Sequence, residues 1–431
     1  MSKITLTESE FKNFIKKSVI SVIDNINEAH NPAFERSNAT SGTQQIWNII
    51  DKKQKELYDE VFGELSDKLD ELTLEKSKLM GEEYLNIPNV ICRAGNDKLP
   101  EGVLIVNMSS SLMCPSFYLG LCQIRNGSCY AQRAENQYTN NVLPQRFQTD
   151  LMHTQMLRQY QNGNKNPMKK YFSIIELYIQ LANKYAMDEC KKIISYLEQK
   201  RRKPLSKEEK EIIMYEHSKN KITDVRLNET GDFHCQLAVD LWSKFAKKIK
   251  RKYGIDTHAY TARNLDFKNA SKYINMNYSH SGDYDSEHQK PRYFQVLSDK
   301  DYDSLPNVKL DEQGQPILKE WKNNKYYKCP CSSEESKCDM CGVCFKPNYT
   351  NEEYTIYVKL HGQKYARGLK NGFTIKEIKP IMNAYNKYGW VNDNEKNKSD
   401  NEQLKRYSQH VEINREKSKK KPTKSKKKAV K

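Results

Sequence analysis

Nowhere in its 431 residues does the chain hold an apolar run near the roughly 18 residues that a bilayer-spanning helix needs. A membrane-spanning helix is therefore not expected. The opening stretch MSKITLTESEFKNFIKK carries acidic residues and lacks the apolar core of a secretory signal, so export is not expected either. An odd number of cysteines, eleven, without an export signal argues against a disulfide framework. No internal repeat is found. These absences leave a non-membrane protein of a reducing, cytoplasmic compartment.

What is present is enough for a sizeable core: 37% of residues are hydrophobic and 29% charged. The net charge of +17 invites a nucleic-acid reading until it is localised. Arg415 to Lys431 alone carries a net +9, which leaves a mild excess of +8 on the rest. This Lys-rich segment has no aromatic residue to bury and is expected to be disordered. It acts either as a solubilising tail or as a non-specific, salt-sensitive attachment to nucleic acid.

Three regions are expected. Residues 1–85 read as a helical N-terminal arm, in which Tyr58, Val61, Phe62, Leu65, Leu69 and Leu72 recur at helical spacing. The arm would pack on the main domain or on another copy. Residues 86–392 read as a cysteine-rich α/β core, and 393–431 as a polar, Lys-rich tail.

Within the core, strands are expected at Val103–Val106, Thr223–Leu227, Ile255–Tyr260, Tyr273–Met276, Tyr293–Leu297 and Tyr354–Leu360. Helices are expected over 168–219, interrupted by an exposed basic turn at Gln199–Pro204. Others follow at Leu237–Ile249, near Leu265–Ala270 and at Thr374–Tyr388. Strands spaced by helices imply crossovers and a mainly parallel sheet, read here as a partial or irregular parallel (β/α) barrel. Such a sheet places ligands at the carboxyl ends of its strands.

The cysteines carry the sharpest signal. Cys92, Cys190 and Cys235 stand alone and read as buried thiols. Cys114, Cys122 and Cys129 fall within sixteen residues directly after a strand, as Cys114-Pro115 and later Cys129-Tyr130-Ala131. Soft thiolates so grouped suit a metal. Three of them without a fourth would leave one position open on a four-iron cluster.

A second group, Cys329-Pro330-Cys331 with Cys338, Cys341 and Cys344, places five cysteines within sixteen residues and ends in two successive C-x-x-C steps. Four suffice for a cubane cluster or for tetrahedral zinc, and Cys331 reads as the supernumerary thiol. The run looks more like a cluster-binding segment than a zinc ribbon. The expected metal ligands are thus Cys114, Cys122, Cys129, Cys329, Cys338, Cys341 and Cys344, holding one or two [4Fe–4S] clusters, with zinc as the alternative.

Two strand ends supply polar groups. Arg226 to Phe233 combines a strand end with a glycine turn. Arg226 offers a fork for a carboxylate, and Glu229 and Asp232 offer acceptors for an amine or a ribose. Gly231 permits a close approach. The other reading of Asp232 is a cap on the following helix. Tyr260, Thr261 and Arg263 end the next strand beside the same expected pocket, or else are a core tyrosine and a surface arginine. His361-Gly362 ends the last expected strand and reads as structural.

Together these pieces resemble the phage gene product 88 family. The matching residues are Cys114-Pro115, Cys129-Tyr130-Ala131, Arg226, Gly231-Asp232-Phe233, Trp242, Tyr260-Thr261, Cys329-Pro330 and Cys338, Cys341 and Cys344, in that order over about residues 90–362. That family in turn is similar to radical S-adenosylmethionine enzymes, whose first barrel strand leads to three cysteines. Their Gly-rich acidic motif contacts the cofactor's amino group. The spacing of Cys114, Cys122 and Cys129 is wider than is usual there.

The resemblance implies an iron–sulfur protein of an infected host's cytoplasm. Cys114, Cys122 and Cys129 would hold a site-differentiated cluster, and S-adenosylmethionine would lie along Arg226, Glu229, Gly231, Asp232, Tyr260, Thr261 and Arg263. A second metal site would lie in 329–344. The competing expectation is a zinc-stabilised viral accessory protein that attaches to nucleic acid through its tail.

Overall fold

The computed structural model describes residues 41–62, 92–95, 99–100, 102–107, 114–118, 142–218, 221–279, 292–330, 338–348 and 352–359. The longer helices are α1 (Ser41–Phe62), α2 (Val142–Gln161), α3 (Asn166–Arg201), α4 (Lys207–Ser218), α5 (Gln236–Tyr253) and α6 (Asp299–Ser304). The strands are β1 (Cys92–Ala94), β2 (Val103–Val106), β3 (Asp224–Leu227), β4 (Asp256–Thr261), β5 (Asn275–Ser279), β6 (Arg292–Leu297), β7 (Lys319–Trp321), β8 (Asn324–Lys328) and β9 (Tyr354–Lys359).

The nine strands among the described residues form one sheet in the order β1-β2-β3-β4-β5-β6-β9-β8-β7. From β3 to β6 each strand lies beside and parallel to the one before it, and β9 and β8 continue the parallel run. Only the edges, β1 and β7, are antiparallel. The expected mainly parallel α/β sheet is therefore present.

β1, β7 and β8 were not anticipated from the sequence. β7 and β8 form a hairpin turned by Lys322 and Asn323, both at positive φ, 50° and 63°. That is the backbone of a type I′ connection. The fifth strand lies at Asn275–Ser279 rather than Tyr273–Met276.

Side chains alternate across the sheet, and its two faces differ in kind. On one face Leu104, Val106, Val225, Leu227, Ala259, Met276 and Tyr278 join a single core with the helices. α5 contributes Ala238, Val239, Leu241, Trp242, Phe245, Ala246 and Ile249, close to the expected periodicity. It ends at Gly254, whose left-handed backbone (φ 71°) lets its N–H close on the Lys250 carbonyl. α1 buries Ile50, Leu57 and Val61 in this same core, so this part of the expected arm packs on the main domain.

The opposite face carries Arg226, His258, Tyr260, Asn277, Arg292 and Phe294, in register across β3 to β6. It is covered by the cysteine segment 338–346: Phe345 packs on Val103 and Ile105, and Cys341 and Val343 pack on Tyr327, Tyr354 and Ile356. The expected helix Thr374–Tyr388, His361-Gly362 and the tail 393–431 lie outside the described residues.

Candidate metal centre and strand-end loops

The cysteine segment is seated by its backbone. A helical turn, Cys338–Cys341, closes at Gly342, whose φ of 64° suits glycine and whose N–H donates to the Cys338 carbonyl at 2.8 Å. Arg292, buried at the start of β6, donates to the carbonyls of Val343 (2.6 Å), Lys346 (2.8 Å) and Cys344 (2.9 Å), and from Nε to Asn277 Oδ1 (2.7 Å). Asn277 adds a bond to the Cys344 carbonyl at 3.2 Å, and Asn275 bonds the Phe345 carbonyl. The His258 ring stacks on Phe345 with centroids 4.3 Å apart. The turn that carries three cysteines is thus fixed by polar groups on neighbouring parallel strands.

Cys329 enters from the end of β8. Its N–H donates to the Tyr357 carbonyl at 2.9 Å, and its own carbonyl accepts from the Tyr302 hydroxyl. Cys341, and beside it Cys329, Cys338 and Cys344, share one cluster with Tyr327, Tyr354 and Ile356. Cys341 Sγ lies 3.1 Å from the Tyr327 hydroxyl. Burial, with the neighbouring Cys329 and Cys341 thiols adding to it, pushes the Cys344 thiol up to about 12, against the pull of Arg292 and Tyr260.

Among the described residues no three His, Cys, Asp or Glu side chains converge at metal-ligand distance. The chemistry of the donor set nonetheless fits a thiolate-bound metal. Four soft donors share a mostly apolar cluster, in which ionising them without a cation would be costly. Cys331 lies outside the described residues.

Of the first cysteine group the described residues include Cys114 alone; Cys122 and Cys129 lie outside them. Cys114 is buried at the head of a helical turn, Pro115–Tyr118. Ser116 in that turn donates to Asp232 Oδ2 at 2.6 Å. Asp232, fully buried, also accepts from Thr261 Oγ1 (2.7 Å) and from the backbone N–H groups of Ala262 (2.7 Å) and Phe233 (2.8 Å). Burial raises its carboxyl above the ordinary value even though these donors work to lower it. The residue at the α5 N-cap is Cys235, so Asp232 is not the helix cap that its position suggested. It ties the Cys114 turn to the end of β4.

The polar residues expected in one pocket divide into three groups. Asp232, Thr261 and Arg263 lie together, Arg263 donating to the His234 carbonyl at 3.3 Å. Arg226 and Tyr260 face the cysteine segment, with the guanidinium carbon 4.9 Å from the Tyr260 ring centre. Tyr260 also bonds Cys344. Glu229 lies on the far side of Arg226, held by Arg93 (2.5 Å), Asn107 (3.4 Å) and Arg146 (3.7 Å) and near enough to Arg226 to feel its charge. Burial alone would raise the Glu229 carboxyl, but the guanidiniums of Arg93, Arg226 and Arg146 bring it down to about 2. Gly231 takes φ 75°, as a tight turn requires.

Sequence reasoning missed the Arg292 clamp. Asn275 and Asn277, polar residues at two-residue spacing in and just beyond the expected strand of a mainly parallel sheet, were the available signal. It also missed a buried chain. His234 Nε2 lies 2.8 Å from Asp150 Oδ1, and His234 Nδ1 lies 3.3 Å from His153 Nδ1. Burial, and then Arg263, lower His234 to about 3, against the pull of Asp232. Cys92, Cys190 and Cys235 are buried, as expected of lone thiols.

No protein-family model, no curated protein and no solved structure matches the chain. None of the described helices is long and apolar enough to cross a membrane. Fold and site together define a mainly parallel α/β protein with helices on one face of its sheet and a cysteine-bearing segment on the other.

Proposed function

We propose that the protein is an iron–sulfur protein of radical-SAM-like, phage gene product 88-like type, in which β2 to β6 and β9 wall a partial barrel. The observation that carries this reading is the seating of Cys329, Cys338, Cys341 and Cys344 in one cluster on the face of the sheet that bears Arg226, Asn277 and Arg292. These four would hold one centre. Cys114, with Cys122 and Cys129, would hold a second at the carboxyl end of β2, where parallel sheets bind ligands. When bound there, a four-iron cluster with S-adenosylmethionine supplies one-electron chemistry.

The chain's own residues have separate tasks in this reading. Asp232 fixes the Cys114 turn through Ser116 and joins it to Thr261 and the Ala262 backbone. Arg292 fixes the second cysteine turn through its carbonyls. Arg226 stacks on Tyr260, which bonds Cys344, and Glu229, held by arginines, orders the β3 end beside Gly231. Arg263 holds the His234 carbonyl and so the loop after Asp232.

Anaerobic purification followed by iron, acid-labile sulfide and zinc determination tests the reading. It expects about four irons with matching sulfide per cluster and visible charge-transfer absorbance. One zinc per chain with neither iron nor sulfide would replace it with a zinc-stabilised accessory protein.

A further inference from the structure

The 36-residue helix α3 is longer than the core needs. Its first half is built into the core through Tyr171, Ile174, Ile175, Tyr178 and Ile179. Asn183 then accepts from the Ile222 N–H at the entry to β3, at 2.7 Å. Beyond that point Ile193 and Leu197 form a separate small cluster with Leu205 and Ile213, which fastens α4 back along α3. At about 1.5 Å per residue, the stretch from Asn183 to Arg201 carries the turn of this helical pair roughly 27 Å from the sheet entry.

Along the shaft of the pair, charges are matched. Asp188 pairs with Lys191 (3.2 Å), Glu189 with Lys192 (2.8 Å), Glu198 with Lys210 (2.8 Å), Arg201 with Glu209 (2.6 Å) and Lys207 with Glu211 (3.9 Å). Glu208 is taken up by Ser206 and its own backbone at the start of α4. At the turn the matching stops. Lys200, Arg202 and Lys203 are exposed and make no salt bridge within 4 Å among the described residues, although Lys203 lies near enough to Glu209 to help lower its carboxyl. Arg202 is held there by a left-handed backbone, φ 55°, with its N–H on the Gln199 carbonyl at 3.2 Å. One turn back, Tyr196 is half exposed, and the Lys200 ammonium lies 5.8 Å from its ring centre.

We propose that this tip, Tyr196 with Lys200, Arg202 and Lys203, is a docking surface for single-stranded nucleic acid. Three exposed cations free of a direct salt bridge on a fixed turn suit successive phosphates, and an exposed aromatic beside them gives a base a face to stack on. Residues 199–204 include no large apolar side chain to enter a lipid layer beyond the Pro204 ring, and Leu205 is buried. The surface lies on the far half of α3, apart from the metal-binding reading, and stands or falls without it.

The test is fluorescence anisotropy of the full-length protein with a labelled single strand of about 16 nucleotides and the equivalent duplex, across a salt series. The Lys-rich segment 415–431 is common to every variant, so a difference between variants reports the tip. Replacing Lys200, Arg202 and Lys203 together by Gln should weaken single-strand binding about tenfold or more and flatten the salt slope by about two. The Lys200→Arg, Lys203→Arg pair should bind as the unaltered chain does, and Tyr196→Ala should weaken the single strand several-fold while sparing the duplex. Circular dichroism checks that α3 and α4 keep their helicity. The proposal is overturned if the unaltered chain does not bind the strand, or if the triple Gln variant binds it equally well at every salt concentration. It is also overturned if that variant loses only binding to phosphatidylserine vesicles.

Discussion

Glu229 and Asp232 lie three residues apart, yet burial works out differently for each. Glu229 is outweighed by guanidiniums and stays ionised to about pH 2, whereas Asp232 faces neutral donors and its carboxyl is raised. A carboxyl lowered by folding contributes stability above its unfolded value of about 4.5 and loses it as pH falls toward 2. The contribution is at most about 3 kcal/mol. Urea midpoints measured from pH 7 down to 2 should therefore fall across that window, and Glu229→Gln should start lower and show a flatter acid limb. An unchanged limb would contradict the arginine account. Asp232→Asn should cost about 2–4 kcal/mol, because its amide group meets existing donors whichever way it turns. Urea unfolding at pH 7 measures this, and a loss within about 0.5 kcal/mol, the ordinary scatter of surface substitutions, would contradict it. The acceptor role of Asp232 was legible in the Gly-Asp-Phe turn. Its partner Ser116, more than a hundred residues away in sequence, was not.

Among the elements, those whose pattern is dictated by burial were the readable ones. Val103–Val106 is apolar on both faces, and α5 shows a clean helical stripe. β7 and β8 form a Lys-, Glu- and Asn-rich edge hairpin, partly exposed, and carry no such pattern. β5 was displaced in the reading because Asn275 and Asn277 are polar for a reason beyond the strand itself: they bind the cysteine turn. That turn depends on Gly342. Gly342→Ala places a Cβ on a left-handed backbone and should cost about 1–2 kcal/mol. It should also lower the metal retained by 329–344, as metal analysis after gel filtration would report. Full retention at unchanged stability would show that the turn does not need this conformation.

For the whole molecule, the strand and helix sequence declared a mainly parallel sheet, and the cysteine spacing marked both candidate metal segments. What lay beyond sequence was the division of labour between the sheet's faces. Period-two alternation gives two faces, but only the register of β3 to β6 shows that Arg226, His258, Tyr260, Asn277 and Arg292 share the one that the cysteine segment covers. The central claim is that this face exists to seat a metal held by cysteine thiolates. It is tested most directly by the iron and sulfide content of the anaerobically purified chain, before and after Cys329, Cys338, Cys341 and Cys344 are replaced together by Ser. The account predicts the loss of one cluster, about four irons with their sulfide, while any iron held by the Cys114 group stays. Equal iron and sulfide in both proteins, or none in either, would contradict it.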